Sequence, residues 1–157
     1  MAHEHRAAIH WSRNGAPFSD NKYSRAHRWV FDEGVEILGS SDPVAVPPPL
    51  SRTDAVDPEE GLVAALASCH MLFFLAFACK KGFVVDSYTD HPAGVMAKNE
   101  RGKLYVAAVT LDPQAIFVGD KQPTSEEIAM LHRRAHEECY IANSIRAEVT
   151  MKGIALH

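Results

Sequence analysis

The feature that most constrains this chain is a long stretch without a formal charge, from Gly61 to Cys79. Acidic residues precede it and lysines follow it, as in a helix matched to its own dipole. Asp57 can cap the helix, Pro58 suits its first position, and Glu60 completes a capping box with Asp57. The sequence therefore predicts a helix about 35 Å long that stops at Gly82.

Two environments suit a helix that ends near Lys81 and is apolar on nearly every side. One is a bilayer, since the uncharged stretch approaches the length of a membrane span. The other is the interior of a protein. Ser68, His70 and the many alanines favour the interior, so we predict no membrane contact. A chain of 157 residues can hardly wrap such a helix alone, which predicts a second copy of the chain as a partner.

The chain before this helix reads as a meander of three strands. Aromatic and branched residues indicate strands at His5 to Trp11 and Tyr23 to Phe31, with a turn at Asn14-Gly15 between them. Asp32 to Gly34 forms a second turn. It leads into an alternating strand over Val35 to Leu38.

A long proline-rich connection over 39–57 leads into the helix, as either a functional or interface loop or a linker across the surface. After the helix, two long strands over 83–98 and 103–118 read as a hairpin. Pro92 and Gly94 suggest a bulge or break in the first of them.

A second helix opens at Thr124 or Ser125 and carries Cys139 at its end. A final strand covers Ile145 to Leu156. The predicted order is β-β-β-α-β-β-α-β, an α+β arrangement that forms a single domain over residues 1–157.

Charge and cysteine content narrow the possible functions. The net charge is −4 and no segment is dominated by lysine and arginine, so we predict no nucleic-acid partner. The N-terminus has no apolar signal core. The three cysteines, Cys69, Cys79 and Cys139, make a poor disulfide framework. We therefore predict a reducing, cytoplasmic location, where a cysteine pair is more often catalytic or redox-active than structural.

Cys69 lies in the middle of the long helix, where a free thiol is most often an inert core residue. Cys139 changes this interpretation, because the segments around both cysteines resemble a known family. Asp57 to His70 is similar to the Pro-Glu-Glu, alanine-rich, reactive-cysteine pattern of the OsmC/organic hydroperoxide resistance (Ohr) family. Ala135 to Cys139 resembles that family's second cysteine motif. The order of elements is also similar to the family from end to end.

The resemblance implies an OsmC-like fold, in which antiparallel sheets wrap a long central helix in an intertwined homodimer. It also implies thiol-dependent reduction of organic hydroperoxides to alcohols, with no cofactor. In that reaction the Cys69 thiolate attacks the O–O bond and becomes a sulfenic acid, and Cys139 condenses with it to form a disulfide. An external dithiol then restores the enzyme. In relatives this reductant can be a lipoylated protein.

A thiolate inside an apolar site needs a cation nearby, since burial alone raises the pKa of a thiol. The resemblance points to Arg28 for this role, with Arg25 and Arg52 as alternatives. It points to Glu59 as the carboxylate that holds the arginine. Glu59 lies about 15 Å along the helix from Cys69. It would therefore have to act from a neighbouring subunit or through an arginine that reaches along the helix.

Other residues near the cysteines carry weaker signals. We predict that Phe73 and Phe77 line an apolar substrate site, although helix phenylalanines are more often core residues. His132, His136 and Cys139 have a helical spacing that suggests zinc. They lack a compact fourth ligand, and we predict no metal.

The remaining signals concern His70, Cys79 and Tyr140. His70 points about 100° away from Cys69, which makes it a poor base, and Cys79 is interpreted as structural. Tyr140 stands where a proline is common in the family. The main rival function is an OsmC-like protein that binds a small hydrophobic ligand. A cysteine hydrolase is a weaker rival, because no Cys-His-Asn/Asp arrangement emerges.

Overall fold

The computed structural model describes residues 3–157. Their contacts group the chain into two compact units, of which the first ends at Gly61 and the second runs from Leu62 to His157. The predicted α+β class is confirmed, with largely antiparallel sheets and two α-helices. The unit boundary falls in the first turn of the long helix.

The first unit is built on an antiparallel meander of three short strands. They are β1 (Ala8–His10), β2 (His27–Val30) and β3 (Glu36–Gly39). Trp29 of β2 pairs with Ile9 on one side and with Ile37 on the other. The meander confirms the sequence prediction, including the turn before β3, where a 3-10 turn spans Asp32–Gly34.

The first two strands are shorter than predicted, because their aromatic residues pack together outside the sheet. Tyr23 stacks on Phe18 at 4.6 Å between ring centroids, and Trp11 meets Tyr23 edge-on at 5.4 Å. Asn14-Gly15 does form a turn with positive φ, at 47° and 79°. It lies in the connection between the paired strands β1 and β2, so the predicted turn is confirmed, within a longer and more irregular connection than a tight hairpin.

The proline-rich connection folds back along β3 through hydrogen bonds. The Ser40 N–H donates to the Val56 carbonyl, and the Val56 N–H donates to the Leu38 carbonyl, both at 3.0 Å. The buried Ser40 hydroxyl accepts from the Arg52 N–H at 3.0 Å. This segment is therefore an ordered part of the first unit.

Helix α1 spans Pro58–Lys80 and begins and ends as predicted. The Glu60 N–H donates to the Asp57 carboxylate at 2.8 Å, and Glu60 accepts from the Asp57 N–H at 3.1 Å. These reciprocal bonds satisfy two N–H groups that the first turn would otherwise leave without partners. Gly82 follows the helix with a φ of 77°, a conformation that glycine adopts without strain.

Only one side of α1 is buried in the single chain, although the helix is apolar on nearly every side. The buried side chains are Leu66, Ala67, His70, Phe74, Phe77 and Ala78. The opposite side is exposed and carries Ala64, Ala65, Ser68, Leu72, Ala76 and Cys79. The sheets of the single chain pack against one side of the helix only, as expected for a chain that cannot wrap the helix alone. The second copy expected on the other side stays a prediction. By length and composition alone, with a mean hydropathy of 2.2, α1 could also cross a membrane, a test that core helices of soluble proteins pass as well.

The second unit contains two sheets, whose strands come before and after the second helix in the sequence. These strands are β4 (Val84–Asp90), β5 (Ala93–Lys98), β6 (Leu104–Leu111), β7 (Pro113–Val118) and β8 (Glu148–Met151). β4 pairs with β7, and β6 lies between β5 and β8. The β6–β8 ladder is parallel, whereas the other ladders are antiparallel.

Each of the two long predicted strands is broken into two, which corrects the predicted element order. The first break, at His91-Pro92, was anticipated, since proline cannot donate to a ladder. The second break, at Asp112, was not. There the Asp112 N–H donates to the Asp90 carboxylate at 2.8 Å instead of to a strand. Packing also favours glycine at position 94, because a Cβ there would lie 2.7 Å from the Val63 side chain of α1.

Helix α2 spans Ser125–Glu138 and starts with a capping box between Thr124 and Glu127. The final strand β8 is shorter than predicted and occupies only the centre of the expected range. Helix α1 contributes to both hydrophobic clusters of the second unit. One gathers Leu66, Ala67, Val109, Leu111, Cys139, Val149, Met151 and Leu156. The other gathers Phe74, Phe77, Ala78, Phe83, Leu131 and Ala135.

Candidate functional site

The two cysteines singled out by the sequence meet in the second unit. Cys69 lies in the middle of α1 and is half-buried, whereas Cys139 caps the C-terminal end of α2 and is fully buried. Both belong to the same hydrophobic cluster. The Cys69 thiol lies close enough to that of Cys139 to raise its pKa. Two neighbouring thiols in one cluster are candidates for a disulfide.

Burial dominates the electrostatics of Cys139. It raises the pKa of this thiol to about 11, and the neighbouring Cys69 thiol adds to the increase. The backbone N–H of Ala142 opposes the shift by donating to the Cys139 sulfur at 3.4 Å. Cys139 is therefore protonated near neutral pH. The first nucleophile must be a thiolate. A protonated Cys139 therefore suits the role of the thiol that reacts second.

The end of α2 is held in place by Asn143. Its side-chain amide donates to the carbonyls of Glu137 at 2.9 Å and Cys139 at 3.0 Å, which are among the acceptors that a helix end leaves free. The Asn143 N–H also donates to the Cys139 carbonyl at 3.0 Å. The backbone that carries the Cys139 thiol is thus ordered by local hydrogen bonds.

The predicted arginines and their predicted carboxylate lie in the first unit. Arg28, on β2, forms an ion pair with Glu36 of β3 at 3.1 Å. Arg52 pairs with Asp54 at 2.6 Å. Arg25 lies before β2 rather than on it, and its guanidinium stacks on the Tyr23 ring at 3.8 Å. Each candidate arginine therefore has a partner within its own unit.

Glu59 is exposed in the first turn of α1, and Glu60 rather than Glu59 closes the capping box. Within residues 3–157, Glu59 forms no ion pair. Its carboxylate is therefore available, and its role in holding an arginine remains a prediction.

The two predicted substrate-binding phenylalanines have different surroundings. Phe73 is half-buried, one turn after Cys69, and meets Tyr140 edge-on at 5.1 Å between ring centroids. Phe77 is buried in the second cluster, with the Arg134 guanidinium over its ring at 4.3 Å. Phe73 and the exposed Tyr140 thus flank the cysteine pair, whereas Phe77 packs as a core residue.

The sequence predicted no shared role for His70 and His132, yet they form a buried pair. Nε2 of His70 lies 3.0 Å from Nδ1 of His132. Burial lowers the pKa of His70 to about 3 and that of His132 to about 4. His132 lies two turns before Cys139 on α2, so the two residues share a face of that helix. This spacing is the sequence signal that could have identified His132 as part of the site.

The other candidate roles near the cysteines concern Cys79 and a metal. Cys79 is exposed on α1 and is not part of the cluster that holds the other two cysteines. Across residues 3–157, no three His, Cys, Asp or Glu side chains are grouped so that they could bind a metal ion. His132, His136 and Cys139 therefore do not form the zinc site that their spacing suggested.

Solved structures with the same fold define the class to which this chain belongs. The OsmC-like protein of unknown function from Vibrio cholerae is 49% identical, with a TM-score of 0.94 over 96% of this chain and 99% of that chain. The organic hydroperoxide resistance protein OhrB of Bacillus subtilis is 20% identical, with a TM-score of 0.68 over 95% and 96%. An organic hydroperoxide resistance protein from Elizabethkingia anophelis is 16% identical, with a TM-score of 0.70 over 97% and 94%.

The family can be stated more narrowly from the sequence itself. The profile of the OsmC-like protein family matches residues 51–152, which include all three cysteines. No curated protein sequence matches the chain significantly. The chain belongs to the OsmC-like family.

Proposed function

We propose that this protein is a thiol-dependent peroxidase that reduces organic hydroperoxides to alcohols as part of an oxidative stress response. The OsmC-like family and its organic hydroperoxide resistance neighbours favour a peroxide-resistance or redox role. The observation that carries the proposal is the contact between an accessible Cys69 and a buried, protonated Cys139. An inert pair of core thiols would not need one member to be partly exposed to solvent.

The reaction proceeds in two steps. The Cys69 thiolate attacks the distal oxygen of the hydroperoxide, the O–O bond breaks, and the alkoxide takes a proton and leaves as the alcohol. Cys69 is now a sulfenic acid. The Cys139 sulfur attacks the Cys69 sulfur, the S–S bond forms and the S–O bond breaks. The released hydroxide leaves as water with the proton from Cys139.

Cys139 acts in the second step because its proton is lost only as it attacks. The Ala142 N–H, 3.4 Å from the Cys139 sulfur, stabilises the negative charge that develops there. An external dithiol, such as that of a lipoylated protein, then reduces the disulfide by thiol exchange.

Arg28 supports the Cys69 thiolate in this proposal, with Glu59 as the carboxylate that orients the arginine. Arg28 is preferred because the family resemblance points to its segment, and because arginine stays charged near apolar surfaces. Arg25 and Arg52 remain the alternatives. Phe73, which flanks the cysteine pair, favours apolar hydroperoxides over hydrogen peroxide.

The protein works as a homodimer in the cytoplasm in this proposal, without a cofactor. The exposed apolar side of α1, centred on Leu72, supports a second copy as the partner. Three free cysteines support a reducing compartment.

A second candidate function is the binding of a small hydrophobic ligand. A cleft of about 510 Å³ in the first unit favours it. The cleft is lined by Ile9, Trp11, Phe18, Tyr23, Arg25, His27, Ser40, Ser41 and Pro58. A protein of this kind would bind an apolar ligand without consuming hydroperoxide.

Consumption of a bulky alkyl hydroperoxide in the presence of dihydrolipoamide tests the proposal. Wild-type protein and the control Cys79→Ser should turn over equally, whereas Cys69→Ser should be inactive. Cys139→Ser should accumulate a Cys69 sulfenic acid or mixed disulfide, visible by mass spectrometry. Equal rates for wild type and Cys69→Ser would overturn the peroxidase proposal. Equal turnover of hydrogen peroxide and the alkyl hydroperoxide would overturn the proposed substrate preference.

A further inference from the structure

The buried pair of histidines joins α1 to α2 directly. Nε2 of His70 and Nδ1 of His132 are 3.0 Å apart, and the two rings are nearly parallel, at 10° between their planes. The Phe74 ring stacks on the ring of His132, at 4.3 Å between ring centroids. Both histidines are almost fully buried. A hydrogen bond in such surroundings is directional and is not replaced by water.

The pair lies close in sequence to both cysteines. His70 follows Cys69 directly on α1, and His132 precedes Cys139 by two turns of α2. A shift of one helix along the other would separate the imidazoles and would also move the two thiols apart. The hydrogen bond therefore requires the same alignment of α1 and α2 that disulfide formation requires.

At least one of the two imidazoles must be neutral for this bond, because one ring nitrogen donates and the other must accept. The titratable groups around them are His136 on the same helix as His132, and His157 and Glu137 beside His136. Tyr88 of β4 also packs on Phe74, at 5.5 Å between ring centroids. Burial lowers the pKa of both members of the pair, which keeps them neutral at physiological pH.

We infer that His70 and His132 are positioning residues, which hold α1 and α2 in the alignment that lets Cys69 and Cys139 form a disulfide. The inference rests on the proposed function, because it concerns the second step of that reaction. A displacement of about 1 Å between reacting groups can cost about 10²-fold in rate. A directional hydrogen bond between the two helices that carry the thiols is a means of preventing such a displacement.

The test measures how readily the two thiols form a disulfide, without using peroxide. Cys79→Ser protein is equilibrated with reduced and oxidised dithiothreitol, and the Cys69–Cys139 disulfide is quantified by mass spectrometry. In the double variant His70→Leu/His132→Leu, which removes both polar groups, the equilibrium constant for the disulfide should fall by at least tenfold. A smaller fall in a protein whose near-ultraviolet circular dichroism is unchanged would overturn the inference.

Rescue by a conservative variant separates positioning from general stability. The side-chain amide of asparagine can place a hydrogen-bonding atom where His132 has Nδ1, so His132→Asn should stay within threefold of the parent protein. A loss as large as that of the double variant would contradict a positioning role. If the double variant does not fold, His132→Phe takes its place with the same tenfold criterion, because it keeps the ring and removes the bond.

The outcomes for the two proposals are distinguishable. If the parent protein forms the disulfide but consumes no hydroperoxide, the peroxidase proposal fails and the positioning role stands. If it consumes hydroperoxide and the leucine variant keeps its equilibrium constant, only the positioning role fails. A parent protein that forms no Cys69–Cys139 disulfide would overturn both.

Discussion

The backbone N–H of Ala142 donates to the sulfur of Cys139 at 3.4 Å, at the point where α2 ends. This bond is the main stabilising contact for a Cys139 thiolate, and it competes with a larger destabilising effect from burial. The balance keeps Cys139 protonated at neutral pH. It also means that the two cysteines should differ in chemistry before any substrate binds.

The first prediction concerns the reactivity of Cys139. Because burial raises the pKa of Cys139 to about 11, its alkylation by iodoacetamide at pH 7 should be at least tenfold slower in the folded protein than in protein unfolded in urea. The unfolded chain serves as the control, because it exposes the same thiol. Mass spectrometry of the Cys139 peptide gives both rates, and the rate in the folded protein should still be rising at pH 10. Equal alkylation rates at pH 7 would contradict the buried environment of Cys139.

The second prediction concerns stability in acid. The folded-state pKa values of His70 and His132, about 3 and about 4, lie below the value of about 6.5 for an unfolded chain. Between these values the unfolded chain binds protons that the folded chain excludes. The free energy of unfolding should therefore decrease as the pH falls from about 6.5 towards 4, by up to about 1.4 kcal/mol per pH unit for each histidine.

Urea unfolding at several pH values between 7 and 4.5 measures this decrease. The control is His70→Leu/His132→Leu, whose free energy of unfolding should depend less steeply on pH because both titrating groups are gone. Parallel curves for the two proteins would show that the pair contributes nothing to the acid sensitivity.

The third prediction concerns the exposed side of α1. Leu72 is 61% exposed in the single chain, and we expect a second copy to cover it. Light scattering after size exclusion should give the mass of two chains for the wild type and of one chain for Leu72→Glu, because a buried unpaired carboxylate disfavours association.

Leu104 of β6 provides a matched control for this experiment. It is 65% exposed, so Leu104→Glu adds the same charge to an equally exposed leucine elsewhere and should leave the dimer intact. A wild-type protein with the mass of one chain would refute the proposed homodimer.

The fourth prediction concerns the arginine that supports the Cys69 thiolate. Arg28→Ala should lower kcat/KM for an alkyl hydroperoxide by about 10²-fold, as expected for the loss of a group that stabilises charge at a reacting centre. Arg52→Ala, which removes a surface pair with Asp54, should change it by less than threefold. Steady-state kinetics on the wild type, Arg28→Ala and Arg52→Ala measure both changes in kcat/KM. The reverse order of effects would move the role from Arg28 to Arg52.

Local sequence signals predicted the helices well. The bounds of α1 and the start of α2 follow from capping boxes at Asp57-Glu60 and Thr124-Glu127, which involve residues only three positions apart. The break at Pro92 has a similarly local cause, since its ring removes the N–H donor. The break at Asp112 was missed because it depends on the Asp90 carboxylate from another strand.

The sequence by itself determined the two helices, the family and which two cysteines belong to the candidate site, because each of these depends on short runs of residues. Only the tertiary structure decided which side chains meet. The pairing of His70 with His132 spans 62 positions, and the meeting of Cys69 with Cys139 spans a similar stretch of chain. Periodicity shows which face of a helix is apolar, but not which partner covers it. The packing of α1 against α2 supplies that partner, and with it the candidate site.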